Sequence, residues 1–230
     1  MLPLRDDVPS RSMPLVVISL MVANALVFLL ELYLVAADGE GSGALAEFTD
    51  TWGLVPREFL RGASQPGPTG QIVWLTPIAA MFIHGGLLHL LGNLLYLWIF
   101  GRRIEDLLGH ARFFLFYLVC GLIASGVQVA SDPNSYAPIV GASGAISGLL
   151  GAYAVSYPSG RLRLLWPPMR IPAALFLLAW IVIQIASGLA GDAEASHGVA
   201  WWAHVGGFVT GMALIRSMRV RDPIRSRSRI

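Results

Sequence analysis

The sequence predicts an all-α membrane protein, a six-transmembrane-helix bundle with both termini on the cytoplasmic side. Three observations carry that prediction. Of 230 residues, 55% are hydrophobic and only 13% are charged, whereas a soluble domain carries about a quarter charged residues. Six apolar runs stand out, at residues 13–36, 74–100, 113–130, 143–157, 171–190 and 201–218. Most reach the ~20 residues a helix needs to cross a hydrocarbon core of ~30 Å. The charges of the intervening loops then alternate from side to side. The length allows one domain of several helices, laid out as a short cytoplasmic segment 1–13, a membrane domain 14–217 and a tail 218–230.

The first run is longer than the 7–15-residue apolar region of a secretory signal. Although Val35-Ala36-Ala37 resembles a cleavage site, the run therefore reads as a span. The loop 37–73 is the longest connection. Its Trp52, Phe59 and Leu60 among polar residues suggest a short interfacial helix, with Trp74 as a headgroup-level anchor. The second run is long enough to begin with a short helical or re-entrant piece before the span proper. The third carries Cys120, the single cysteine, so neither a disulfide framework nor a cysteine metal site is possible. The fourth opens with Gly141-Ala142-Ser143-Gly144-Ala145-Ile146-Ser147-Gly148 and ends at Pro158. It is too short for an ordinary span and has a hydroxyl at its head. The fifth and sixth runs complete the set.

Orientation follows from the arginines, since the sequence has no lysine. All but Arg57 and Arg61 fall in the N-terminus, the 101–112 loop, the 158–170 loop and the tail, and by the positive-inside rule these face the cytoplasm. The opposite loops hold Asp38, Glu40, Glu47, Asp50, Glu58, Asp132, Asp192 and Glu194. The arginine tail is a topology signal resting on anionic headgroups. Nucleic acid is not expected as a partner. A short N-terminus without transit-peptide character points to a bacterial plasma membrane.

Ionisable and polar groups inside spans are costly and mark functional candidates. Helical rise gives their depth. His89 lies about 20 Å from Arg102 along its helix, Ser143 about 22 Å from Pro158, and His204 about 18 Å from Arg216. Three separate helices thus bring these side chains to one level, roughly 8–12 Å below the outer face of the core. Asn93 shares a face with His89 at i+4.

Serine is a weak nucleophile until an imidazole takes its proton, and acyl transfer needs donors aimed at the developing oxyanion. Ser143 and His204 supply nucleophile and base, without a carboxylate at that depth to complete a triad. His89, Asn93 and the free backbone N–H of Ser143 can supply the oxyanion donors. Gly144, Gly148 and Gly151 follow the serine, while Gly207 and Gly211 follow the histidine, a small-residue pattern that lets the two helices approach. Blander readings suit the rest. Glu31 sits near the outer interface, wetted or capped. Asn24, Ser147 and Gln184 serve as interhelical hydrogen-bonding groups, and His84 braces the outer loop. His110 and His197 are solvated. Zinc on His84, His89 and His204 lacks a supporting motif or carboxylate, so no metal or other cofactor is expected. A transporter would spread polar groups over the whole depth of several spans, and here they cluster at one level.

These residues resemble the rhomboid intramembrane serine proteases. The resemblance rests on Gly141-Ala142-Ser143-Gly144, on Ala203-His204-Val205-Gly206-Gly207 with Gly211 beyond, and on His84 with His89 and Asn93 in Phe82-Ile-His-Gly-Gly-Leu-Leu-His-Leu-Leu-Gly-Asn. Gly101-Arg102-Arg103-Ile104-Glu105-Asp106 also resembles the family's second-span exit. The resemblance implies a six-helix bundle of the rhomboid type, Ser143 as nucleophile, His204 as general base and acid, and His89 and Asn93 as oxyanion site. His84, Gly141, Gly144, Gly207 and Gly211 take supporting places. It further implies that loop 37–73 is partly embedded, that the fifth span and the 191–200 loop act as gate and cap, and that the substrates are single-span membrane proteins cut near their outer boundary. Relatives that bind clients without cutting them lack the serine or the histidine, and both are present here. Two departures matter. Ser147 stands where some members place a tyrosine stacked on the histidine, and Trp74-Leu75 replaces a tryptophan–arginine pair. Neither the oligomeric state nor a particular substrate follows from the sequence.

Overall fold

The computed structural model describes residues 3–8, 12–37, 43–62, 73–165, 168–191 and 199–220. Residues 63–72 of the first loop, 192–198 of the expected cap with His197 among them, and the tail beyond Val220 lie outside the described residues. The chain is mostly helical. Three helices are long and apolar enough to cross a membrane among these residues: α1 (Leu15–Ala37), α7 (His110–Ser131) and α9 (Ala173–Ala190). A fourth is a bent pair, Val73–Phe82 followed by Leu87–Leu108, turned by 83°.

Two short helices, α2 (Ala44–Trp52) and α3 (Pro56–Gly62), occupy the described part of the first loop. The bent pair begins with a 3-10 turn at Val73–Leu75, α4 (Thr76–Ala79) and a second 3-10 turn at Ala80–Phe82. Ile83 is extended, and Gly86 at φ +147 makes a turn that a side chain would resist. From there α5 (Leu87–Tyr96) runs through a π turn at Leu97–Gly101 into α6 (Arg102–Leu108).

At the centre lies α8 (Ser143–Ser156), where Ala145 through Tyr153 form one unbroken buried stretch. A helix apolar on all sides is stable only when neighbours cover all of it. The neighbours are α7 on one flank and α10 (Trp201–Met218) on the other. Glycines set these distances. A Cβ on Gly148 would collide with Cys120 of α7, which gives that buried thiol a packing role.

One expectation fails. The chain is not wholly helical, because β1 (Pro3–Asp6), β2 (Arg161–Leu164) and β3 (Arg170–Pro172) form an antiparallel sheet in that order. The signal was a period-2 pattern too short to stand out: Arg161 and Arg163 are exposed, while Leu162 and Leu164 are buried. Arg5, Arg163 and Arg170 face one another across the three strands. Like charges opposite each other are unfavourable, and here all three remain in contact with solvent.

Asp6 turns the other way, into the bundle. It accepts two 2.7 Å bonds from the Arg103 guanidinium, one at 3.0 Å from Arg102 and one at 3.2 Å from the Tyr153 hydroxyl. Glu105 is equally buried and accepts the Val16 and Val17 N–H groups at 2.9 and 2.8 Å. It thereby caps two orphan donors of α1 with a negative charge at the positive end of the helix. His110, expected in a loop, opens α7 and bonds to the same carboxylate.

Candidate active site

The site is built where α8 and α10 begin. Gly141, at φ +113, donates its N–H to the Ala80 carbonyl at 2.8 Å. Two residues earlier Ile139 pairs with Leu54 through bonds of 2.9 and 3.1 Å. The chain entering α8 is therefore tied both to the first loop and to the bent pair. Ser143 is the first residue of α8, which has no side-chain cap.

His204 lies in the first turn of α10. The two helices touch through backbone: a Cβ on Gly207 would run into the Gly144 carbonyl, one on Gly211 into that of Gly148, and one on Gly151 into that of Phe208. With no side chains between them, Ser143 Oγ and His204 Nε2 come to 2.8 Å although they are 61 residues apart in sequence. The other ring nitrogen, Nδ1, is 2.7 Å from Gln184 Oε1 on α9. Trp180 and Trp201 pack on the imidazole with centroids at 5.8 and 6.2 Å, the second edge-on.

His89 and Asn93 meet the same region from α5. A Cβ placed on Gly141 would lie 2.7 Å from His89 Nε2 and 3.6 Å from Asn93 Nδ2. Both groups thus flank the residue two before Ser143. The Asn93 amide nitrogen is buried and makes no hydrogen bond. An unpaired buried donor costs roughly 1–3 kcal/mol, a cost an incoming acceptor would remove.

His84 is buried one turn away, its ring 5.1 Å from that of His89. Its Nδ1 faces the Phe82 carbonyl at 3.1 Å, and its backbone N–H donates to Glu31 at 3.0 Å. Glu31 is only 3% exposed. The expectation of a wetted glutamate gives way to a buried one that ties α1 to the turn before α5. The zinc arrangement of His84, His89 and His204 is not formed, since both nitrogens of His204 are engaged.

Two further readings need correction. Asn24 and Ser147 do not bond across helices. Asn24 donates to the Leu20 carbonyl at 2.7 Å and Ser147 to the Ser143 carbonyl at 2.6 Å, each within its own helix. Gln184 does reach another helix, and its partner is His204 itself. The sequence carried one sign of this, a single amide in a run otherwise apolar from Ala173 to Ala186. It gave no sign that Trp180 and Trp201 would stand where tyrosine stacks in some rhomboid proteins.

Known proteins are similar to this chain. The Rhomboid domain family model matches residues 71–220. The human presenilin-associated rhomboid-like protein, mitochondrial, is 31% identical over 148 residues, covering 63% of this chain and 38% of that protein. RHOMBOID-like protein 5 of Arabidopsis thaliana is 33% identical over 139 residues, covering 60% and 41%. Rhomboid protease GluP of Bacillus subtilis is 33% identical over 150 residues, covering 65% and 27%. The matched segment thus spans well under half the length of each relative.

Proposed function

This chain belongs to the rhomboid family, and from that premise we propose that it is a serine endopeptidase cutting single-span membrane proteins near the outer membrane boundary. The observation that carries the reading is the 2.8 Å approach of Ser143 Oγ to His204 Nε2. One relative, from Bacillus subtilis, bears the name rhomboid protease.

In this mechanism Ser143 Oγ attacks the scissile carbonyl carbon while its proton passes to His204 Nε2. The carbonyl oxygen becomes an oxyanion, received by the unpaired Asn93 amide, by His89 and by the N–H at the head of α8. The C–N bond then breaks, and His204 returns the proton to the leaving amine. Water, deprotonated by His204, attacks the acyl-enzyme and releases Ser143. His84 and Gly141 support the oxyanion side, while Gly144, Gly207 and Gly211 set the separation of the helices. No cofactor is involved.

The topology belongs to the same proposal. Six spans are formed by α1, the bent pair, α7, α8, α9 and α10, with both termini cytoplasmic. The sheet and its arginine row then lie at the cytoplasmic headgroups, beside an arginine-rich tail of the same sign, in a bacterial plasma membrane. The domain limits remain 1–13, 14–217 and 218–230.

Purified protein in detergent should cleave a model single-span substrate, and Ser143→Ala and His204→Ala should each abolish cleavage while remaining folded. A serine-reactive phosphonate should label the native chain and not Ser143→Ala. Retained cleavage by Ser143→Ala would sink the mechanism.

A further inference from the structure

Gln184 has a job that helix packing does not account for. It is only 5% exposed, on α9, whose most apolar stretch is just 22% buried. Its neighbours on the buried face of α9 are Ala173, Phe176 and Leu177. An amide among such residues costs free energy unless both of its ends are satisfied. Both are. The amide nitrogen donates to the Trp180 carbonyl one turn back at 3.3 Å, and the amide oxygen lies 2.7 Å from His204 Nδ1.

The first of these bonds fixes the meaning of the second. A glutamine oxygen and nitrogen are told apart by their partners. A carbonyl such as that of Trp180 can only accept, so the nitrogen of Gln184 points to it and the oxygen to His204. That oxygen in turn can only accept, which requires Nδ1 to carry the hydrogen. A neutral imidazole has one N–H and one lone pair, so the lone pair is on Nε2, facing the Ser143 hydroxyl at 2.8 Å. This is the tautomer able to take the serine proton. The reversed amide would place the hydrogen on Nε2 and leave Ser143 without a base.

We propose that Gln184 is a positioning residue that holds His204 in its working tautomer and orientation, so that α9 contributes a third member to the Ser143–His204 pair. The inference rests on the reading of those two residues as the reacting groups. Trp180 and Trp201 confine the plane of the ring, and Gln184 sets its rotation and its proton. Ser147 cannot share the task, because its hydroxyl is bonded to the Ser143 carbonyl. A neutral amide suits the location: a carboxylate would orient the imidazole too, but at the cost of burying a charge.

The test uses the full chain in detergent, measuring the rate of phosphonate labelling at Ser143, kcat and KM for a model single-span substrate, and Tm. Gln184→Leu should slow labelling and kcat by about 10²-fold and leave KM within about twofold, as expected for a misplaced base. Gln184→Glu keeps the acceptor and should retain most of the labelling rate, with the acid limb of its pH profile moved to higher pH by the added negative charge. A folded Gln184→Leu with the native labelling rate overturns the proposal. So does a Gln184→Glu variant that is as slow as Gln184→Leu, or one whose pH profile does not move. If Gln184→Leu loses Tm, the Gln184→Glu rate and profile decide alone. Labelling of Ser143→Ala at the native rate would instead remove the Ser143–His204 reading, so the two failures are distinguishable.

Discussion

Replacing Gly211 by alanine tests whether backbone contact between α8 and α10 sets the reacting distance. The added methyl carbon would lie 2.6 Å from the Gly148 carbonyl carbon and 2.7 Å from its Cα, where ordinary contact begins at 3.4 Å. These are backbone atoms inside a helix, which cannot swing away as the end of a flexible side chain would. The helices must therefore separate locally by about 1 Å, at an overpacking cost of about 1–3 kcal/mol. The same displacement carried to the head of α10 would lengthen the 2.8 Å contact between Ser143 and His204 beyond the ~3.0 Å limit of a good O–H bond. Misplacement on that scale costs about 10²-fold in rate. The assay is cleavage of a model single-span substrate alongside thermal unfolding in the same detergent. Gly126→Ala is the control: it is also in a long helix, but nothing lies within 4 Å of its added carbon, so Tm should rise or hold and activity should be unchanged. A Gly211→Ala variant with native Tm and native rate would refute the reasoning.

Two other outcomes are expected. Asp6→Ala should lower stability by about 3–5 kcal/mol, because it strands the buried Arg103 guanidinium, and the fall in unfolding midpoint should be much smaller in an Asp6→Ala, Arg103→Met double variant. Asn93→Ala and His89→Ala should each reduce kcat by about 10²–10³-fold with Tm little changed, as for loss of one oxyanion donor; unchanged kcat removes that residue from the role.

Much of the chain was legible because it depends on quantities that run along a helix. Hydropathy marks which segments face lipid, and loop arginines suggest an orientation. A rise of ~1.5 Å per residue assigns a depth to any side chain once one end of its helix is known. That was enough to put Ser143, His89 and His204 at one level. The glycine spacing showed that α8 and α10 would lie close. Short alternation such as Arg161-Leu162-Arg163-Leu164 was too brief to outweigh the helical pattern around it, so the sheet went unread. The contacts of Asp6 and Glu105 were equally hidden, since each joins residues roughly ninety or more positions apart.

What the sequence determined by itself was the membrane setting, the family and the residues that could react. What the tertiary structure alone decided was rotation about the helix axes and the choice of lateral neighbours. Gln184 could be placed at a depth from sequence, but an amide at that depth can face lipid, α8 or α10, and only the packing of α9 turns it towards His204. The same holds for which nitrogen of that ring bears the hydrogen. Depth follows from the covalent chain, whereas direction follows from what the chain packs against.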